Sequence, residues 1–139
     1  MEKEFIPYTL ALELKSLGFD EPCFGRYYYK ESYPMLNPKS KETELVFEFG
    51  QYLEQTEVTI LAPTFSQAFR WFREKYGLHS YIEPVLVEKA NSPIKYDYVI
   101  LEVSHQNDLE YNNLPYHTYE EAELECLIKL IQIVKNESK

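Results

Sequence analysis

Apolar residues recur at three- and four-residue intervals in three segments of the chain, which is the pattern of a helix that buries one face. The segments are residues 7–19, 63–78 and 118–135. Each of them predicts an α-helix whose apolar side faces the interior. The predicted inward residues are Leu10, Leu14 and Leu17 in the first helix, Phe65, Ala68, Phe69, Phe72 and Tyr76 in the second, and Tyr119, Ala122, Cys126, Leu127, Leu130, Ile131 and Val134 in the third.

The ends of these helices carry local signals. Gly18 and Gly77 stand where the first two patterns stop, and glycine readily adopts the left-handed conformation that ends a helix. Thr64 can cap the start of the second helix. Thr118 and Glu121 have the spacing of a capping box, in which each side chain accepts a hydrogen bond from the backbone of the other residue.

Between the helices, short runs of alternating and aromatic residues predict strands. The Asn-Ser-Pro turn at 91–93 favours an antiparallel hairpin between the last two of them. Pro84 lacks a backbone donor, which predicts that its strand lies at a sheet edge or a bulge. Residues 31–43 and 104–117 are predicted as long loops. The predicted strands are 24–30, 45–49, 57–61, 81–89 and 94–103.

The element order α-β-β-β-α-β-β-α predicts an α+β fold over a single domain, 1–139. In this prediction one antiparallel sheet of about four to five strands packs with three helices, which cover it mainly on one face. The apolar side of each helix faces this shared sheet, and the arginines of the middle helix remain at the surface. There is no Gly-rich turn of the kind that precedes a phosphate-binding helix in a parallel nucleotide-binding sheet.

Composition limits the classes of partner. The 139 residues carry a formal net charge of -9, which disfavours extended nucleic-acid binding and docking on an anionic membrane. Protein partners or small ligands are therefore expected. No stretch has the length and apolar content of a signal peptide or a membrane span, which predicts a cytoplasmic location.

The residues with catalytic potential do not form a recognisable site. Cys23 and Cys126 are far apart and lack zinc-site spacing, and they are predicted as reduced thiols. Cys126 could be a nucleophile paired with a histidine, but its inward position favours a core thiol. His79, His105 and His117 show no metal-ligand spacing. We expect no catalytic residue, no metal and no cofactor.

The middle helix offers two interpretations of its tryptophan and arginines. Arg70, Trp71 and Arg73, with Arg26 from an early strand, could contact an anionic or aromatic ligand through charge and stacking. Alternatively Trp71 is a boundary residue on the helix flank, shielded by long cationic side chains. The second interpretation is favoured.

The last helix has apolar residues on a second side, Leu124, Ile128 and Ile133. Such a surface is covered either by more of the same domain or by another subunit. It therefore predicts homo-oligomerisation.

Three blocks of sequence carry a resemblance. They are FIPYTLALELKSLGFDEPCFG at 5–25, ILAPTFSQAFRWFREKYGLHSYI at 60–82 and YHTYEEAELECLIKLI at 116–131, together under half of the chain. They resemble segments, in this order, of small proteins encoded by bacteriophages and prophages of gut Bacteroides-type bacteria. The middle block is the most specific.

The resemblance implies a phage or prophage protein in the cytoplasm of a host cell, and it supplies no activity and no catalytic residue. With the absent catalytic motif and the acidic composition, it leads to the hypothesis of a non-enzymatic accessory protein that acts by protein–protein interaction. The alternative hypothesis is a small-ligand binder, one that sequesters a nucleotide signal and so counters host defence.

Overall fold

The computed structural model describes residues 2–29, 43–47, 59–86, 91–102, 107–111 and 115–138. Within these ranges the chain forms three α-helices, six strands and a 3-10 helix at Glu2–Glu4. The fold belongs to the α+β class, as predicted. The elements are α1 (Tyr8–Ser16), β1 (Gly25–Tyr29), β2 (Thr43–Phe47), β3 (Thr59–Ala62), α2 (Phe65–Tyr76), β4 (Leu78–Val85), β5 (Lys95–Glu102), β6 (Asn107–Tyr111) and α3 (Tyr119–Glu137).

The strands form two antiparallel sheets, so the prediction of one sheet of four to five strands is wrong. One sheet has the order β2-β1-β3 and the other the order β4-β5-β6. The strands before α2 pair with one another, and so do those after it. Helix α1 packs against β3, whereas α3 packs against β4 and β5. These two helices therefore do not share a sheet.

The chain divides into two compact units, Met1–Phe65 and Ser66–Lys139. Each unit contains one of the sheets. The single domain over residues 1–139 stays a prediction.

In the first unit, the start of the chain is tied to the segment that follows β3. Phe5 forms an antiparallel bridge with Thr64, and the backbone N–H of Ile6 donates to the carbonyl of Pro63 at 3.0 Å. The Tyr27 hydroxyl donates to the carbonyl of Ile6 at 2.8 Å. Because Ile6 is fully buried, these bonds satisfy backbone groups that water does not reach.

Helix α1 ends as its glycine predicts. Gly18 has a φ of 86°, its N–H donates to Lys15, and the N–H of Phe19 donates to Leu14. This pair of bonds is a Schellman motif, and the left-handed residue that it needs costs glycine little. Phe19 is buried with Leu14, so the turn also closes the apolar side of the helix.

In the second unit, β4 and β5 form the predicted hairpin, with Val85 opposite Lys95 at its closed end. Helix α3 covers the sheet face that carries Ser80 and its register partner Ile100. This face is identified by the hydrogen bond between the Cys126 thiol and the Ser80 side chain. Residues 97–100 at the centre of β5 are all buried.

Strand β6 is a correction to the predicted loop at 104–117. Residues 107–111 pair with β5, with a register shift between Ile100 and Leu101. The sequence NDLEY has little strand propensity, since Asn, Asp and Glu are depleted in strands and none of its residues is β-branched. Pairing with the buried strand β5 supplies the order that the local sequence does not predict.

Pro84 lies on an edge strand, which confirms its predicted position. Tyr96 directs both its N–H and its carbonyl toward Tyr116, away from β4. Its partner Pro84 is therefore in a non-hydrogen-bonded pair, and the Pro84 nitrogen points out of the sheet at the outer edge of β4. An edge that lacks this donor is a poorer template for another strand.

Several predictions fall on residues outside the described ranges. They include most of the loop at 31–43, of which only Thr43 is described, in β2, and His105. The predicted strand ends at 48–49, 57–58, 87–89 and residue 103 also lie there. Within the described residues, no helix has the length and apolar content to cross a membrane.

Candidate functional site

The four predicted contact residues occupy two different environments. Arg26 lies on β1 in the first unit, half-buried, opposite Val46 and Leu61 in register. Arg70 and Arg73 are exposed on α2, one turn apart. Trp71 lies between them in sequence but is only 4% exposed. Contact of these residues with a ligand or partner stays a prediction.

The burial of Trp71 differs from the predicted position on the helix flank. The buried stripe of α2 consists of Phe65, Ala68, Trp71 and Phe72, which is the spacing i, i+3, i+6 and i+7. The predicted inward residue Phe69 is only half-buried. The helix is thus turned toward its tryptophan, because an indole offers the largest apolar surface to bury.

A lysine of the same helix lies over the tryptophan. The Lys75 ammonium is 4.8 Å from the centroid of the Trp71 ring and 5.6 Å from that of Tyr76. Trp71 also makes edge-to-face contacts with Phe72 and Tyr76, at 5.1 and 5.3 Å between centroids. Since the indole is enclosed by its own helix neighbours and is buried, its face does not offer a stacking surface to a ligand.

Three of the exposed large apolar side chains of the second unit lie toward the closed end of the β4–β5 hairpin, whereas Tyr81, 47% exposed, lies near the middle of β4. Leu86 is 91% exposed, Ile94 is 59% exposed, and Tyr119 at the start of α3 is 45% exposed. With exposed Pro84 and half-buried Tyr96 they form what we call the hairpin-end patch.

Register and ring contacts place three of these residues together. Pro84 is opposite Tyr96, whose ring contacts that of Tyr119 edge to face, 5.9 Å between centroids. Leu86 comes two residues after Pro84, and Ile94 comes two residues before Tyr96. Leu86 directly follows β4 and Ile94 directly precedes β5, so both lie at the end of the hairpin that Pro84 and Tyr96 also occupy.

The chain that leads into α3 is fixed beside this patch. The ring of Tyr116 stacks on that of Tyr98, with centroids 6.2 Å apart. Two residues later the predicted capping box is present: Thr118 Oγ1 accepts from the N–H of Glu121, and the Glu121 carboxylate accepts from the N–H groups of His117 and Thr118. The start of α3 is therefore defined by several independent contacts.

The patch lies next to negative charge. Glu120 and Glu121 are exposed, and Glu123 and Glu125 are half-buried in the following turn. Burial raises the pKa of the Tyr119 hydroxyl, and the charge of Glu123 raises it further, with smaller contributions from Cys126 and Glu120. These carboxylates place negative charge near the ring of Tyr119.

Both thiols are interior, in agreement with their prediction as reduced cysteines. Burial raises the pKa of Cys23 to about 11 and that of Cys126 to about 12. The Cys23 thiol donates to the carbonyl of Gly25 at 3.3 Å. A nucleophilic cysteine needs a lowered pKa and some exposure, and these two have neither.

The second sheet holds one buried carboxylate among the described residues. Asp97 is 8% exposed, and its Oδ1 accepts a hydrogen bond from the N–H of Tyr98 at 2.8 Å. Glu83 lies opposite Asp97 in register, so both side chains project from the same face. The described residues contain no group of three or more His, Cys, Asp or Glu side chains placed to hold a metal ion.

The hairpin-end patch was missed by sequence reasoning. Leu86 belonged to a predicted strand that continued to residue 89, and Ile94 was assigned to the first position of the next strand. The sequence does carry a signal for the patch, because Leu86 and Ile94 stand on either side of a Pro-containing turn. Each is one residue from a paired strand end, Leu86 after Val85 and Ile94 before Lys95.

Comparisons with known protein families, with curated proteins and with solved structures give no match for this chain. The functional conclusion therefore depends on the placement of its side chains.

Proposed function

We propose that this protein acts without catalysis, by binding another protein through the hairpin-end patch. The observation that carries the proposal is the exposure of Leu86 and Ile94 at the end of the hairpin whose residue Tyr96 contacts Tyr119. Single exposed apolar residues are common on protein surfaces, but contiguous ones are typical of interaction sites.

The energetics of the patch are compatible with a specific contact. Fully burying a leucine or isoleucine side chain contributes about 1.5 to 3 kcal/mol, and Leu86 and Ile94 still expose most of their surface. The tyrosine adds a rigid ring with a polar end, a residue type enriched at the centre of interfaces. Three such anchors beside the paired ends of β4 and β5 can provide the core of a modest interface.

The resemblance to phage and prophage proteins supplies the setting of the proposal: an accessory protein in the host cytoplasm with a host or phage protein as its partner. Self-association is a separate part of it. Leu124, Ile128 and Ile133 on α3 are half-buried, so each retains some surface that a second copy could cover.

The test is an affinity purification with matched variants. Ile94→Asp and Leu86→Asp place a charge in the patch, whereas Phe24→Asp changes an exposed apolar residue of the first unit, which at 55% is about as exposed as Ile94 at 59%. We expect the first two variants to lose a partner that wild type and Phe24→Asp retain. Equal recovery of every partner by all four proteins would contradict the proposal. Circular dichroism spectra confirm that the variants fold.

A further inference from the structure

The composition around the hairpin-end patch restricts the chemistry of its partner. We infer that the patch takes a segment with apolar side chains next to at least one Arg or Lys, which rests on the proposed function. The apolar part is required by Leu86 and Ile94, which are exposed by 91% and 59%. The cationic part follows from the charges at the start of α3.

The first seven residues of α3, YEEAELE, include four glutamates, and the first basic residue of the helix is Lys129. The Glu121 carboxylate is occupied by the capping box. Glu123 is four residues after Tyr119 on α3 and therefore lies on the same side of the helix, and Glu120 is the next residue, so both carboxylates are close to the patch. Lys95 does not neutralise the patch face, because strand alternation directs it to the opposite side of β5 from Tyr96.

Tyr119 is the residue of the patch that we expect to contact both the apolar and the cationic part of the segment. Its ring is anchored edge to face against Tyr96, and the side chain is 45% exposed. A guanidinium or ammonium over an exposed tyrosine face is attracted by the ring, and nearby carboxylates strengthen that attraction. Apolar residues beside the cation would then cover Ile94 and Leu86.

The charge also argues against a second copy of this chain as the occupant. A two-fold interface brings the same surface of both copies together, so the glutamates of one copy would face those of the other. Since the first seven residues of α3 include four glutamates, such a contact at the patch is electrostatically unfavourable. A basic segment of a different protein has the complementary charge.

The inference is tested by selecting peptides from a random displayed library on the full chain and measuring their affinities in solution. We expect the selected peptides to combine Arg or Lys with large apolar residues and to lose at least tenfold in affinity for Ile94→Asp. Glu120→Gln with Glu123→Gln is expected to weaken binding about fivefold, since exposed charge pairs contribute modestly. Glu74→Gln, an exposed glutamate on α2, is the matched control and should bind as wild type does.

The possible outcomes separate this inference from the proposed function. Two results would overturn the inference and leave the proposed function intact. In the first, the peptides that lose binding with Ile94→Asp are neutral or acidic. In the second, their affinity for the glutamine variants is the same as for wild type. A selection in which no peptide depends on Ile94 would contradict the proposed function itself.

Discussion

The backbones of Tyr96 and Tyr116 exchange two hydrogen bonds, 3.0 Å from the Tyr96 nitrogen and 2.7 Å from the Tyr116 nitrogen. This isolated bridge extends the pairing of β5 beyond the end of β6. It also fixes the chain three residues before Tyr119, the first residue of α3. The bridge thereby connects the sheet to the helix start beside the hairpin-end patch.

The capping box that follows this bridge should contribute measurably to stability. Thr118→Ala removes the acceptor for the Glu121 N–H, now 3.1 Å from Thr118 Oγ1. We expect a loss of about 1 kcal/mol in the free energy of unfolding, measured by urea denaturation. Thr118→Ser keeps the hydroxyl and should retain most of that stability. Identical stabilities for all three proteins would contradict a stabilising cap.

Gly25 should not tolerate any side chain. A Cβ at this position would lie 2.7 Å from the Phe5 ring and 2.8 Å from the carbonyl oxygen of Ala62. We expect Gly25→Ala to lower the free energy of unfolding by about 1 to 3 kcal/mol, since a buried strand cannot move away easily. Phe5→Leu in the same chain should recover part of the loss, and a double-mutant cycle measures the recovery. An additive cycle would show that the ring is not the obstacle.

Pro84 should limit self-association through the edge of β4. Its nitrogen points outward, so Pro84→Val adds an N–H donor to the edge that already includes Ser80 and Ile82. We expect this variant to form larger species in analytical ultracentrifugation at concentrations where wild type does not. Pro93→Val, at an exposed proline outside the strands, is the control. If both variants sediment as wild type does, the missing donor has no protective effect.

The two cysteines should be protected from alkylation in the folded protein. Cys23 and Cys126 are buried, and iodoacetamide requires an accessible thiolate. At pH 8 we expect no modification of the native protein by mass spectrometry and two modifications in urea. Rapid modification of Cys126 without denaturant would contradict its place in the core.

The same thiols predict how stability changes at alkaline pH. Their folded pKa values, about 11 for Cys23 and about 12 for Cys126, exceed the ordinary 9.0, so the unfolded chain loses these protons first. The contribution of the protonated thiols to the free energy of unfolding is complete below pH 9 and decreases as pH rises from 9 toward 11 and 12. The loss is about 1.4 kcal/mol for each unit by which the folded pKa exceeds the unfolded one. In the double variant Cys23→Ala with Cys126→Ala, the free energy of unfolding should decrease less steeply over this pH interval. Denaturant titration at each pH measures it.

Trp71 should behave as an enclosed indole. It is the only tryptophan of the chain, so its fluorescence can be followed directly. We expect blue-shifted emission, weak quenching by iodide, and stronger quenching in Lys75→Ala, which removes the side chain over the ring. Glu74→Ala is the control on the same helix. A large emission change on addition of cyclic nucleotides would favour the alternative hypothesis of a small-ligand binder.

Helix ends were predictable because their signals are local. The capping box needs only Thr118 and a glutamate three residues later, and the stop of α1 needs only Gly18 after the last apolar position. The strand of Pro84 was likewise predicted to lie at an edge or a bulge, and it lies at an edge. This prediction was possible because the absence of a backbone donor is a property of the residue itself. These predictions did not depend on which strands pair.

The division into two sheets was not predictable from strand patterns, because pairing joins residues that are distant in sequence. Tyr27 lies opposite both Leu45 and Ile60, partners that alternation alone cannot choose. The burial of Trp71 depended on a rotation of α2 that the spacing of its phenylalanines does not fix. The hairpin-end patch was missed since the exposure of Leu86 is set by where pairing stops.

The measurement that tests the central claim most directly is site-specific photo-crosslinking in host cells. A photoreactive phenylalanine analogue replaces Leu86 in one protein and Phe24 in another, both exposed apolar positions. We predict a discrete covalent adduct with one partner protein from position 86, with a basic and apolar segment at the crosslinked site, and none from position 24. Adducts of equal yield and identity from both positions, or none from position 86, would contradict the claim that the hairpin-end patch binds a protein.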